Sequence, residues 1–130
     1  MHTYRQSTGS WQHNGTELER GYSGSDDGDG VPEPGEGKND PTAQEQRSIG
    51  PIPRGRWEIL GPPFTHEHAG PFVLRLQPAP GTETFGRSGF LIHGDSVILP
   101  GTASQGCIIL SRAVRLHIWA TGDRELEVVA

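Results

Sequence analysis

A histidine and a cysteine lie 14 residues apart in a stretch of the chain that could carry nucleophilic chemistry. His93 ends an apolar run, and Cys107, the single cysteine of the 130 residues, follows a short lead of serine, glutamine and glycine. A free thiol with a pKa of about 8.5 is mostly protonated at neutral pH, so a cysteine nucleophile needs a neighbouring base. An imidazole can accept that proton and later return it to a leaving amine. The pattern predicts a Cys107 nucleophile with His93 as its base.

The residues next to this pair suggest supporting roles. A tetrahedral intermediate needs backbone N–H donors about 3 Å from its oxyanion. A side chain at Gly106 would crowd that approach, and the N–H groups of Gly106 and Cys107 are the candidate donors. Asp95 is one candidate for orienting the His93 imidazole, and a backbone carbonyl near Gly94 is the other.

Each of these residues also has a structural explanation. A lone cysteine in an apolar run is more often a small buried hydrophobic residue than a nucleophile. A buried, inert thiol would be alkylated slowly and would have an ordinary or raised pKa. The three tryptophans occupy apolar positions of their segments, so core packing is the expected role of Trp11, Trp57 and Trp119.

Two other groups have residue types that bind metals. His66 and His68 could offer imidazoles with His93 or His117 as a third ligand, but their segment lies among prolines and glycines and is better explained as an exposed polar loop. The acidic run 26–30 lacks the ligand spacing and terminal glutamate of a calcium loop, so a solvated segment is the better interpretation. We expect no metal and no other cofactor.

The elements that must position these residues are mostly strands. The Asn14-Gly15 pair predicts a type I′ hairpin turn, and Ser111 and Gly122 predict the start and the stop of one helix. Apolar or alternating runs predict strands at 3–6, 10–13, 17–22, 56–60, 72–77, 89–94, 96–100 and 107–110, with a closing strand in 124–130. The predicted fold is mainly β, a sandwich or barrel with one short helix near the C-terminus.

Composition limits both the fold and the partners. A length of 130 residues predicts one domain over 1–130. Most apolar runs follow Ile49, so the second half must supply the core, and the acidic, turn-rich residues 25–46 are predicted to form a flexible loop. The net charge of −5 is unfavourable for nucleic acid and for anionic membranes. The first residues lack a signal-peptide pattern, and no run approaches the roughly 18 apolar residues of a membrane span, so we expect synthesis in the cytoplasm without a signal peptide.

Several motifs together resemble a known family. The His93-Gly94 pair followed by Ser104-Gln105-Gly106-Cys107 resembles the signature of the L,D-transpeptidase (YkuD-type) catalytic domain, a histidine-glycine followed by serine-x-glycine-cysteine. Four further segments resemble the branch of that family used as type VI secretion effectors, and the resemblance extends from about Tyr4 to Leu110. These segments are 21–24, 37–41, 50–55 and 87–90.

The resemblance implies a fold, an activity and partners. It implies an L,D-transpeptidase-like β domain in which Cys107 attacks peptidoglycan tetrapeptide stems at meso-diaminopimelate, expels D-alanine and forms a thioester. Water would resolve the thioester as an L,D-carboxypeptidase, and a D-amino acid would resolve it by exchange. The protein would be a toxin carried by a secretion apparatus to a rival's periplasm, with a cognate immunity protein and no membrane insertion.

The resemblance also suggests substrate-binding residues, namely Tyr22, Arg87, Ser104 and Arg112. Many relatives in the wider family have an arginine two residues after the cysteine, where this chain has Ile109, so Arg87 or Arg112 would have to bind a stem carboxylate instead. The alternatives are a housekeeping L,D-transpeptidase of the cell's own wall, or a non-enzymatic cell-wall-binding β module with an inert Cys107.

Overall fold

A computed structural model describes residues 1–28, 31 and 33–130 and shows a mainly β protein with one short α-helix near the C-terminus. That helix is α1 (Arg112–Ala120), and a 3-10 helix covers Pro41–Ala43. Neither helix is long and apolar enough to cross a membrane. The strands are β1 (His2–Arg5), β2 (Ser10–His13), β3 (Thr16–Arg20), β4 (Tyr22–Ser23), β5 (Gly55–His66), β6 (Gly70–Pro78), β7 (Leu91–His93), β8 (Ile108–Ile109) and β9 (Glu125–Val129).

The nine strands form one nearly closed, barrel-like sheet. Their order is β3-β2-β1-β9-β5-β6-β7-β8-β4, with β1 parallel to β9 and β7 parallel to β8. The two edge strands, β3 and β4, are separated in sequence by Gly21 alone, so the chain itself brings the edges together. Gly21 donates its N–H to the Gly9 carbonyl at 2.9 Å, and a Cβ there would lie 1.8 Å from the Ile109 carbonyl oxygen. The closure therefore requires glycine at position 21.

The turn and cap predictions are confirmed. Asn14 and Gly15 both have positive φ, 50° and 85°, as a type I′ turn requires. The Ser111 hydroxyl accepts the Val114 N–H at 3.3 Å and caps α1. Gly122 has a φ of 72° just beyond the last turn, the conformation in which helices commonly stop.

The core lies between the curved sheet and α1. Trp11 and Trp57 belong to it, as predicted, and Leu126 and Val128 face it from β9. Trp119 packs against this cluster while remaining partly exposed. The other buried members are Tyr4, Ile52, Ile59, Leu74, Leu76, Phe90, Ile92, Ile108, Leu110 and Ile118.

The strand predicted at 96–100 is wrong. Residues 96–101 form a turn in which Val97, Ile98 and Leu99 are 95%, 88% and 61% exposed. Polar side chains at the base of the turn satisfy its backbone: Asp95 accepts the Gly101 N–H, and the Ser96 hydroxyl accepts the Leu99 N–H. These local hydrogen bonds replace a strand ladder, so the apolar run points into solvent.

Candidate active site

His93 ends β7, and Cys107 immediately precedes β8, the strand that runs parallel to β7. Ile92 pairs with Ile108 in the register of β7 and β8, and both isoleucines belong to the core. Side chains alternate between the faces of a strand, so His93 and its register partner Ile109 lie on the face opposite to the two isoleucines, and Cys107 directly precedes Ile108. Among the hydrogen bonds of the described residues, none joins the Cys107 Sγ to the imidazole. The Sγ instead approaches the Gly89 carbonyl oxygen at 3.8 Å.

The His93 imidazole is held as a neutral base. Its Nδ1 lies 2.8 Å from the Gly94 carbonyl oxygen, which can only accept, so Nδ1 carries the proton and Nε2 is the free acceptor. Burial lowers the pKa of His93, and the charge of Arg115 lowers it further, against the opposing effect of the Gly94 carbonyl. The orienting group is thus the Gly94 carbonyl, one of the two candidates that the sequence left open.

The Cys107 sulfur rests as a thiol. Burial raises its pKa, while the Leu91 N–H and the Arg87 charge act in the opposite direction. A raised thiol pKa is shared by an inert cysteine and by a nucleophile whose base removes the proton during attack. The position of Cys107 immediately before the strand that pairs with β7, rather than the resting charge of the sulfur, is therefore what favours chemistry here.

Arg87 holds together the segments that lead to the cysteine. Its guanidinium is buried and donates to four backbone carbonyls at 2.6–3.3 Å, those of Gln44, Gly50, Pro51 and Gln105. Its positive charge acts on the Cys107 thiol. With both terminal nitrogens occupied by backbone carbonyls, Arg87 serves the structure of the loop instead of presenting a free fork to a ligand.

Ser104 and Gly106 shape the backbone at the nucleophile. The Ser104 hydroxyl donates to the Cys107 carbonyl at 2.6 Å and accepts the N–H groups of Gly24 and Gly106 at 3.0 Å. Ser104 is buried, and its hydrogen bonds fix the conformation of the loop that precedes Cys107. Because the Gly106 N–H is occupied by this hydroxyl, the Cys107 N–H is the better of the two oxyanion donors considered from the sequence.

We predict that Gly106→Ala destabilises the protein by about 2–3 kcal/mol. Gly106 has a φ of 138°, and a Cβ there would lie 2.6 Å from the Arg87 Nη2, so the methyl group adds backbone strain and displaces a pinned guanidinium. Urea denaturation measures the change. Gly81→Ala is the matched control, with a φ of 89° and open space around its Cβ, and should cost about 1 kcal/mol. Equal losses of unfolding free energy in the two variants would contradict a clash between the added methyl group and the Arg87 guanidinium.

Tyr22 and Asp95 form a second polar unit. The Tyr22 hydroxyl donates to the Asp95 carboxylate at 2.6 Å and accepts the Ala103 N–H at 2.9 Å. Burial alone would raise the pKa of Asp95, but the hydrogen bonds from Tyr22 and the Gly101 and Ser96 N–H groups outweigh it and lower that pKa. This unit anchors the exposed turn 96–101, and Asp95 affects the His93 pKa only through its charge.

The predicted site residues fall into separate cavities. Cys107, Gly106 and Arg87 line one of about 390 Å³. His93 and Asp95 line another of about 540 Å³. A third cavity of about 530 Å³ is lined by Tyr22, Asp95 and Arg112. The second and third share Gly94, Asp95 and Arg115, whereas Ser104 lines none of the three.

Arg115 is a functional candidate that the sequence analysis missed. It is only 5% exposed on the nine-residue helix α1, although the next residue, Leu116, is exposed. The available signal was spacing, because position 115 lies three residues before the buried Ile118 and such positions share one helix face. An arginine is rarely buried on the apolar face of a helix unless its charge is paired with another group.

In the described residues, the candidate metal ligands are engaged by other partners. His66 is the last residue of β5, and its Nδ1 accepts the backbone N–H groups of His68 and Ala69 in the turn that follows. Another group comprises His2, His13 and Asp123, but His2 Nδ1 accepts the Trp11 indole N–H at 3.1 Å. A metal-binding histidine needs to donate from its second nitrogen, so the indole opposes ligation. In the acidic run, Asp29 and Gly30 lie outside the described residues, and Asp26 is paired with Lys38 at 3.2 Å.

Comparisons with known proteins give one match. The family model described as the Tlde1 domain matches residues 20–129, most of the chain. No curated protein and no solved structure matches. The matched range contains β4 to β9 together with His93 and Cys107.

Proposed function

Because this chain belongs to the Tlde1 domain family, a family of type VI secretion effectors, we propose that it is a cysteine L,D-carboxypeptidase and L,D-transpeptidase acting on peptidoglycan tetrapeptide stems. The observation that carries the proposal is that His93, with its Nδ1 on the Gly94 carbonyl, ends β7, while Cys107 immediately precedes β8, the strand parallel to β7. This arrangement suits a nucleophile and its base.

The first half of the reaction forms a thioester. The Cys107 sulfur attacks the carbonyl carbon between meso-diaminopimelate and D-alanine, and its proton passes to the His93 Nε2. The Cys107 N–H stabilises the resulting oxyanion. The C–N bond then breaks, and the proton on Nε2 passes to the departing D-alanine amine. The stem remains attached to Cys107 through its carbonyl.

The second half releases the stem. Water gives a proton to Nε2 and attacks the thioester carbon, the C–S bond breaks, and the sulfur recovers the proton. This yields a tripeptide stem and makes the overall reaction a hydrolysis. When the amine of a D-amino acid attacks instead, the stem is transferred to that amine and the reaction is an exchange.

The resting protonation states support this sequence of proton transfers. A pKa lowered at His93 and raised at Cys107 gives a neutral imidazole and a neutral thiol. The proton is then transferred only when a carbonyl is in place to be attacked. This is general-base catalysis, in contrast to a preformed thiolate–imidazolium pair.

As an effector, the protein would act in the periplasm of a target bacterium after delivery by the secretion apparatus. A toxin that removes D-alanine from tetrapeptide stems deprives the wall of the donors that later cross-linking uses. The producing cell would need an immunity protein against its own effector. This setting favours a toxin over a housekeeping transpeptidase.

The test is incubation of the purified protein with disaccharide-tetrapeptide muropeptides, followed by mass spectrometry. We expect loss of one alanine residue from the tetrapeptide, and incorporation of a supplied D-amino acid such as D-methionine. Disaccharide-tripeptide is the matched control substrate, and it should remain unchanged because it lacks the scissile bond. A folded protein that leaves the tetrapeptide intact under both conditions would overturn the proposal.

The pH dependence of the reaction follows from His93. The neutral imidazole is the active form and is lost as pH falls through its pKa, and burial lowers that pKa from 6.5. We therefore expect the acid limb of kcat/KM on the tetrapeptide to have its midpoint below pH 6.5. Measurement between pH 4.5 and 8 checks this, since kcat/KM reports the free enzyme's essential groups. A midpoint above 6.5 would contradict a neutral, buried base.

A further inference from the structure

Arg115 combines burial with an unoccupied hydrogen-bonding nitrogen. Its Nε donates to the carbonyls of Leu110 and Ser111, and its Nη1 donates to those of Pro71 and Phe72 at 2.9 and 2.8 Å. These bonds fix the plane of the guanidinium. In the part of the chain that the structure describes, Nη2 makes no hydrogen bond.

Nη2 is directed towards the surroundings of His93. A Cβ added to Gly94 would lie 2.8 Å from Nη2, closer than to any other atom of that guanidinium. Gly94 is also the residue whose carbonyl orients the His93 imidazole. The cavity that contains His93 is lined by Gly94 and Arg115 as well.

Among the described residues, Arg115 forms no ion pair. Glu19 acts on it electrostatically, but one Glu19 oxygen already accepts the Ser111 N–H at 2.8 Å. A fixed, desolvated guanidinium with a free N–H is a strong site for a carboxylate.

We propose that Arg115 binds the α-carboxylate of the D-alanine that leaves the stem, and of the free D-amino acid that enters during exchange. This assignment rests on the proposed function. The leaving amine must receive its proton from His93, and in an amino acid a single carbon separates the amine from the carboxylate. A carboxylate subsite beside His93 therefore suits the same amino acid in both directions of the reaction.

The subsite accounts for two features of the chain. Ile109 occupies the position where many members of the wider L,D-transpeptidase family carry an arginine, and Arg87 has its terminal nitrogens on backbone carbonyls. Arg115 supplies the missing cation from the helix that follows β8. Gly94 has no side chain, which leaves Nη2 open to the cavity.

The experiment compares the tetrapeptide with an analogue whose terminal carboxylate is a carboxamide. We expect the native protein to prefer the acid by about 10- to 100-fold in kcat/KM, the range of a charge-assisted hydrogen bond. Arg115→Met should bring the ratio close to one. Arg124→Met is the matched control, because that arginine stacks on Trp119 at 3.5 Å and lines a different cavity, with Trp57 and Leu126; it should keep the native ratio.

A second variant keeps the test decisive if Arg115→Met does not fold. Gly94→Ala retains the arginine and places a methyl group against Nη2, so the acid-to-amide ratio should fall several-fold. A native ratio that persists in whichever variants fold, or a native protein that cleaves acid and amide equally, would overturn the subsite alone. A native protein that cleaves neither substrate would overturn the proposed function, and the subsite with it.

Discussion

Cys107→Ala is expected to abolish D-alanine release from tetrapeptide stems, with a loss of at least about 10³-fold in kcat. The alanine has no sulfur to attack the carbonyl, so no thioester forms and neither hydrolysis nor exchange can follow. Mass spectrometry of the muropeptides measures the loss. The same variant, exported to the periplasm of a susceptible bacterium, is expected to leave growth unaffected.

The fold should be insensitive to this change. Cys107 is partly exposed, and its sulfur makes weak contacts with the Gly89 carbonyl at 3.8 Å and with the Leu91 N–H, so we expect an unfolding free energy within about 1 kcal/mol of the native value. His93→Gln is the companion variant, because it removes the base and keeps a polar side chain. Undiminished release by a folded Cys107→Ala protein would remove this cysteine from the mechanism.

Arg87→Met is expected to destabilise the protein by about 3–5 kcal/mol. The variant fills a similar volume but leaves four backbone carbonyls without their donor, in a region where water cannot fully replace it. Urea denaturation gives the unfolding free energy. Arg87→Lys should recover only part of the loss, because one ammonium cannot reproduce the fork of the guanidinium.

The control for Arg87 is its exposed neighbour Arg47. Arg47 makes one hydrogen bond, to the Gly86 carbonyl at 3.2 Å, and Arg47→Met should change the unfolding free energy by less than about 1 kcal/mol. The opposite outcome is a stable Arg87→Met protein with a greatly raised KM. It would return Arg87 to the substrate-binding role first suggested for it.

Most of the fold could be predicted because local rules and tertiary context agreed. The Asn14-Gly15 turn, the Ser111 cap and the alternation of Leu126 and Val128 each have one physical explanation, and each is confirmed. The segment 96–100 could not be predicted, since its apolar residues satisfy a strand pattern. The conformation of this segment is set by short-range hydrogen bonds to the Asp95 and Ser96 side chains. The spacing of apolar residues does not reveal these bonds.

The candidate site could likewise be predicted only in part. The residue types and spacing suggested His93 and Cys107, but they could not distinguish the Gly94 carbonyl from the Asp95 carboxylate as the orienting group. Arg87 was proposed as a ligand-binding residue because Ile109 lacks the cation found in many relatives, and the burial of Arg87 depends on backbone carbonyls 36–43 residues away, which spacing does not reveal. Arg115 was overlooked since helix patterns assume that buried positions are apolar.

The pairing of β1 with β9 has a consequence for the order in which the molecule can assemble. β9 is an internal strand of the sheet, flanked by β1 and β5, although it is the last strand in the sequence. A nascent chain can form the β1–β2–β3 meander and the β5–β6 hairpin early, but the two have no common neighbour until residues 125–129 are available. Contacts between such distant residues slow folding. An incomplete chain would therefore carry both reactive residues before the nine-stranded sheet is complete.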